Sequence, residues 1–198
     1  MNNSIQFVPE GATPIEPDDM ADLIPSLKTR QELNEFEQRN IAKARAWARR
    51  SRKLRKDLLD IESLKLLHQM MFNETWKWAG RFRTRQTNIG VEPYQISTQL
   101  VNLCADAKVW IEHKMFSSTV FAIRFHYRFV SIHPFINGNG RHARLVADLL
   151  MIYASESPFK WGGKSLDVEG ETRAQYLAAM KKADGGNYDE LIRFALAD

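Results

Sequence analysis

Twelve consecutive residues, His133 to Arg144 (HPFINGNGRHAR), combine a titratable base, a glycine-rich turn and two guanidinium groups. Pro134 disfavours helical geometry at the residue before it, so a helix arriving from Ile132 should end at His133. The stretch Asn137-Gly138-Asn139-Gly140 permits a tight turn, and a second helix should begin close to Arg141. The first turn of a helix exposes backbone N–H groups, which with the helix dipole attract anions. Arg141 and Arg144 are three residues apart and so project from one side of that turn. A nucleotide di- or triphosphate fits such a place. His133, on the other lip of the loop, has an ordinary pKa near 6.5 and suits the deprotonation of an incoming hydroxyl.

The elements that must position this loop are helical. Thr29 stands three residues before Glu32, a capping-box spacing, and Leu33, Phe36, Ile41, Ala44, Trp47 and Ala48 follow at helical intervals. A helix over about 58–73 carries Leu58, Ile61, Leu64, Leu67, Met71 and Phe72. Ser97 is placed to cap a helix with the stripe Leu100, Leu103, Cys104, Ala107, Trp110 and Ile111, and Ser117 or Ser118 to open one running to Ile132. Two more helices, about 172–183 and 188–197, close the chain. Between the second and third helices, GRFRTRQTNIGVEPYQI reads as a short hairpin or extended flap. The expected fold class is all-α: a helical bundle with one short β-hairpin flap. Residues 1–28, with four of the seven prolines, form an irregular N-terminal arm; residues 29–198 form a single domain with a leading helix at 29–50.

The composition is that of an ordinary soluble chain of 198 residues, 44% apolar and 26% charged. No apolar run approaches the roughly 20 residues of a membrane span. The first residues lack the regions of a signal peptide, so a cytoplasmic location is expected. Cys104, the single cysteine, falls among core positions and cannot form an internal disulfide. The net charge of +4 is concentrated in Lys43–Lys56, which holds eight basic residues and no acidic one. With no nucleic-acid motif beside it, this run reads as a solvated helix face ending in a basic linker rather than a nucleic-acid contact.

HPFINGNGRHAR resembles the signature of the Fic (filamentation induced by cAMP) family: histidine, proline, phenylalanine, one variable residue, an acidic residue, Gly-Asn-Gly-Arg and a second arginine three later. WAGRFRTRQTNIG is similar to the family's flap, TRAQYLAAMKKADGGNYDELIRF to its closing helices, and LNEFEQRNIAKARAW to a leading helix of a bacterial, toxin-like subgroup. The resemblance implies a nucleotidyltransferase that moves AMP from ATP onto a Tyr, Ser or Thr hydroxyl of a target protein, with Mg²⁺ as the metal. It implies His133 as base, Phe135 as anchor, and Gly138, Asn139, Gly140, Arg141 and Arg144 as the phosphate site. Thr87, Asn88, Ile89 and Gly90 would dock the target as an added strand.

One position departs from the pattern. Asn137 stands where the family has its acidic metal ligand, and an amide brings no charge to Mg²⁺. The readings left open are AMP transfer with weak metal binding, transfer of another phosphoryl or nucleotide moiety, and a catalytically weak nucleotide-binding module. Many relatives carry an inhibitory glutamate that pairs with the second arginine. Glu37, in LNEFEQ, points along an apolar stripe and is the better candidate for a pair with Arg144. Glu169, in SLDVEG, matches the letters but falls in an expected core connection. Failing both, a small separate antitoxin would supply the restraint.

Overall fold

The computed structural model describes residues 14–163, 166 and 170–198. After the short helix α1 (Pro17–Met20), a long leading helix α2 (Arg30–Arg50) begins at the anticipated capping box: Glu32 N–H donates to Thr29, and the Glu32 carboxylate accepts from Thr29 N–H. The basic run does not become a linker after α2. Ser51 ends that helix and caps the next, α3 (Arg52–Asp57), by accepting from Leu54 N–H at 3.3 Å. Then come α4 (Ile61–Phe72), capped by Asp60, and the flap segment.

Helix α5 (Ile96–Glu112) follows a 3-10 turn at Pro93–Gln95, and Gln95 occupies its cap position. Ser97 therefore lies inside the first turn rather than at the cap, because the 3-10 turn already feeds the chain into helical geometry. Helix α6 (Ser118–Ile132) is capped by Ser117, whose hydroxyl accepts from Val120 N–H. Helices α7 (Asn139–Tyr153), α8 (Glu171–Ala183) and α9 (Asp189–Leu196) complete the order. The described part of the arm is not wholly irregular. Besides α1, it docks through backbone bonds from Ile24 N–H to Thr75 and from Lys77 N–H to Asp22, and through an ion pair between Asp19 and Arg85.

Two apolar clusters share the bundle. The larger joins Leu33 of α2, Leu64 and Leu67 of α4, Phe125 and Phe129 of α6 and Val146 and Leu149 of α7 with Phe135. The smaller gathers Trp161, Tyr176, Leu191 and Phe194 beneath Ala122, Ile123 and Ala147. Cys104 is buried with the first, and burial raises its thiol to about 11, so it behaves as a small apolar side chain. No helix among the described residues is long and apolar enough to cross a membrane.

Three histidines are fully buried in this framework. His142 Nε2 donates to the Leu64 carbonyl at 3.0 Å, and His126 Nε2 meets the Tyr176 hydroxyl at 3.0 Å. His68 Nδ1 accepts from Gly80 N–H at 3.0 Å, which fixes the proton on Nε2, where it donates to the Asn137 carbonyl at 3.1 Å. Burial disfavours the cation, holding His126 and His142 at about 3 and His68 well below its ordinary value. In the unfolded chain each would bind a proton near pH 6.5. As pH falls below that point the unfolded state gains protons that the folded state refuses, so stability is full above it and declines toward acid. Each histidine contributes about 1.4 kcal/mol per pH unit within the window. The urea midpoint is therefore expected to drop steeply between about pH 7 and pH 5; an unchanged midpoint would contradict the neutral, buried assignment.

Candidate active site

The loop between α6 and α7 is fixed from beneath before any ligand is considered. Phe135 is fully buried and stacks on His68 with ring centroids 3.6 Å apart. The Asn139 side chain closes the loop on itself: its Oδ1 accepts from Phe135 N–H at 2.9 Å and its Nδ2 donates to the Phe135 carbonyl at 2.8 Å. Asn139 thus meets any phosphate through its backbone alone, since its amide is committed to the anchor. Gly138 adopts φ +79°, and a Cβ there would lie 2.5 Å from the Phe72 ring. Both backbone geometry and space demand glycine at this point.

His133 ends α6 in a left-handed conformation, φ 54° and ψ 60°, which is costly for a residue with a Cβ. The structure that holds it there comes from the flap. Arg83 is 2% exposed; its Nε donates to the His133 carbonyl at 2.7 Å, and its terminal nitrogens reach the carbonyls of Arg85 and Val91. Backbone bonds from Arg83 N–H to Pro134 and from Val91 N–H to Ile132 stitch the flap to the loop on either side of His133. The short β-hairpin expected here does not form: among the described residues the flap has only the Phe82–Phe135 bridge and no strand ladder of its own, because its backbone bonds go to the α6–α7 loop. Gly90, at φ +103°, passes so near that a Cβ would lie 2.6 Å from His133 Cβ. Thr87 Oγ1 donates to the Ile89 carbonyl at 2.7 Å, leaving Asn88 and Ile89 exposed at the tip.

A cavity of about 280 Å³ opens above the loop. His133, Asn137, Gly138, Asn139, Gly140, Arg141 and Arg144 line it, so the residues expected from the motif are brought together. Gly138, the cap residue of α7, brings no capping side chain, and Asn139, Gly140 and Arg141 of the first turn belong to this wall. Asn137 Oδ1 accepts from Gly138 N–H at 2.6 Å and from Arg141 at 3.3 Å, so the Gly138 N–H is already engaged inside the loop. Sequence reasoning missed further lining residues: Arg30 and Asn34 of α2, and Arg173 and Tyr176 of α8. The four-residue spacing of Arg30 and Asn34, continued near Glu37, was the available signal. Arg173 carried none, since closing helices are rich in exposed cations.

Burial, and secondarily the charge of Arg83, lowers His133 to about 4. The imidazole is therefore neutral at physiological pH and able to accept a proton. Arg141 lies over the Phe72 ring, 5.0 Å from its centroid, and Arg144 lies 5.8 Å from that of Tyr176.

Glu37 meets a different partner from the one expected. Its carboxylate is 2% exposed, accepts from Trp76 Nε1 at 2.7 Å, and pairs with Arg141 at 2.5 Å rather than with Arg144. The reason is register: Trp76, packed under α2, fixes the carboxylate beside the first arginine. Glu169 lies outside the described residues.

Arg83 is a positioning residue, and its loss should register at His133. Arg83→Met leaves buried carbonyls without donors, a cost of about 3 kcal/mol or more. It also removes a nearby positive charge, so the His133 ring should titrate above its wild-type midpoint in an NMR pH series. A purely structural Arg83 would lower stability and leave that midpoint in place.

Residues 58–151 match the Fic/DOC family model. Over 147 residues the chain is 30% identical to protein adenylyltransferase fic-1 of Caenorhabditis elegans, covering 70% of this chain and 27% of that protein. Over 123 residues it is 33% identical to the Caenorhabditis briggsae protein of the same name, covering 59% and 22%. The chain thus spans about a quarter of the length of these curated relatives. Among solved structures, C. elegans Fic-1 superposes with a TM-score of 0.62 at 27% identity, over 90% of this chain and 51% of that one. BepC of Bartonella tribocorum, solved with bound AMPPNP, gives 0.66 at 18% identity, over 98% and 96%, a likeness of fold. Sequence and fold comparisons agree, and through the domain at 58–151 the chain belongs to the Fic/DOC family.

Proposed function

We propose that this domain transfers the AMP moiety of ATP to a Tyr, Ser or Thr hydroxyl of a protein. The observation that carries the reading is a single cavity in which a neutral His133, the start of α7 and the two arginines meet. Val130, Leu177 and Met180 add apolar surface for a purine, while Arg141 and Arg144 supply cations for phosphates. The curated relatives named protein adenylyltransferase, and the AMPPNP bound to BepC, support the same choice.

In this reading the target hydroxyl oxygen forms a bond to the α-phosphorus and His133 takes its proton. The bond from that phosphorus to the α–β bridging oxygen breaks, and its electron pair leaves with pyrophosphate. Arg141 and Arg144 stabilise the charge on the β- and γ-phosphates. The flap tip, Thr87 to Gly90, with Asn88 and Ile89 exposed, receives the target's main chain as an added strand and aligns the hydroxyl. Such chemistry suits a cytoplasm, which supplies ATP.

As a ligand for Mg²⁺, Asn137 fits poorly. Its oxygen is uncharged and already accepts from Gly138 and Arg141. Among the described residues no group of three or more His, Cys, Asp or Glu is placed to hold a metal. In this reading the arginines neutralise the phosphate charge. The uncharged Asn137 favours a slow transferase over a fast one.

Glu37 is the internal brake in this reading, acting on Arg141. While that guanidinium is paired with a buried carboxylate it is the weaker ligand for phosphate, and the restraint needs no separate antitoxin. Glu37→Gln keeps the acceptor for Trp76 and removes the charge. It should raise target labelling several-fold while lowering thermal stability, because one partner of a buried pair is lost. Unchanged labelling by folded protein would remove Glu37 from regulation.

His133→Ala should reduce labelling of a target protein by about 10²- to 10⁴-fold, with affinity for a non-hydrolysable ATP analogue held within a few-fold. Mass spectrometry of a lysate incubated with ATP reads the first quantity and calorimetry the second. Wild-type labelling by this variant would refute the transfer mechanism.

A further inference from the structure

Arg144 stands where two hollows meet. It lines the nucleotide cavity, and it also lines a hollow along α2 whose wall includes Asp148 and Trp161. A guanidinium on a long stem can serve either side, so the groups that hold it decide whether it meets a phosphate. Asp148 is the draw on the α2 side: burial raises its carboxyl, and the charge of Arg144 is among the effects that oppose the rise. On the nucleotide side lie Tyr176 of α8 and His126 of α6, two buried groups that the transfer mechanism does not use.

These two side chains are paired. The Tyr176 hydroxyl lies 3.0 Å from His126 Nε2, and the rings meet edge to face with centroids 6.0 Å apart. The Arg144 guanidinium carbon lies 5.8 Å from the centre of the Tyr176 ring. Burial raises the Tyr176 hydroxyl, against the charge and hydrogen bonding of Arg144. A guanidinium has donors and no acceptor, so toward Arg144 the phenol oxygen can only accept. Its own hydrogen is left for His126, whose neutral ring has one nitrogen able to receive it, here Nε2. The bonds run in one direction, from Arg144 to Tyr176 to His126, and each polarises the next.

We infer that Tyr176, oriented by His126, is a positioning residue that seats Arg144 toward the nucleotide cavity, where it serves the phosphates beyond the α-phosphate. The identity of that ligand rests on the transferase reading; the seat rests on the geometry of the three side chains. Tyr176 belongs to the smaller apolar cluster with Trp161, Leu191 and Phe194, outside residues 58–151 that match the family model. The docking of α8 is therefore part of building the phosphate site, and the loop with its two arginines is incomplete without it.

The test is a double-mutant cycle on the full chain: wild type, Tyr176→Phe, Arg144→Gln and the double variant, each checked for folding by circular dichroism. Calorimetry measures binding of a non-hydrolysable ATP analogue and of AMP. Tyr176→Phe keeps the ring and removes the hydroxyl. It should weaken the analogue about fivefold or more and leave AMP within about twofold, since AMP lacks the phosphates that Arg144 serves. In the Arg144→Gln background the same change should alter analogue affinity by less than about twofold. Equal losses in both backgrounds overturn the inference, because Tyr176 would then act without Arg144. Equal weakening of AMP and analogue overturns it too, as does an unchanged analogue affinity in Tyr176→Phe. The nitrogen NMR shift of His126 Nε2 should be that of an unprotonated ring nitrogen in wild type; a protonated Nε2 overturns the bond direction on which the seat depends. Failure of the analogue to bind wild type strikes the transferase reading instead. The seat is then judged by the same four proteins in urea, where losses of stability that simply add overturn it and losses that overlap support it.

Discussion

The left-handed turn at His133 is the constraint on which the site depends. An α-helix that simply continued would carry the imidazole round the bundle, and one that ended loosely would leave it in solvent. Here α6 stops in a conformation that a residue with a Cβ rarely adopts, and the cost is met by Arg83, whose Nε holds the His133 carbonyl from across the flap. The same guanidinium ties down the carbonyls of Arg85 and Val91, so flap and base form one unit. Gly90 is the counterpart of this arrangement, since nothing larger fits against His133.

Below that turn the loop is built as an aromatic seat. Phe135 lies on His68, Phe72 blocks any side chain at Gly138, and Asn139 closes a two-bond ring onto the Phe135 backbone. The rigid part of the loop is thus beneath and the N–H groups of α7 are above. The letters of the motif divide accordingly. Pro134, Phe135 and the Asn139 side chain shape the backbone, while His133, Arg141, Arg144 and the start of α7 face the cavity.

Much of this was legible in the sequence because it is local. The capping box at Thr29, the helix stop before Pro134 and the turn at Gly138 depend on residues a few positions apart. What was hidden depends on packing between distant segments. Arg83 read as one of several flap cations, and nothing in its spacing marked it as buried. Glu37 was visible as a carboxylate on an apolar stripe, but its choice of Arg141 over Arg144 follows from Trp76, 39 residues away. Asn137 was visible as a departure; that its oxygen would be used up by Gly138 and Arg141 was not.

The buried histidines have a further consequence for the charge of the cavity. His68, His126, His133 and His142 are all held neutral, each well below the pH range of a living cell. The remaining positive charges around the cavity belong to arginines, which do not titrate there. Between about pH 6 and pH 8 the charge that these histidines bring to the cavity wall therefore stays at zero. Dissolved salt has the opposite standing. Screening by ions weakens the pull of guanidinium groups on an approaching anion, so the concentration of competing electrolyte is an environmental variable to which this surface responds.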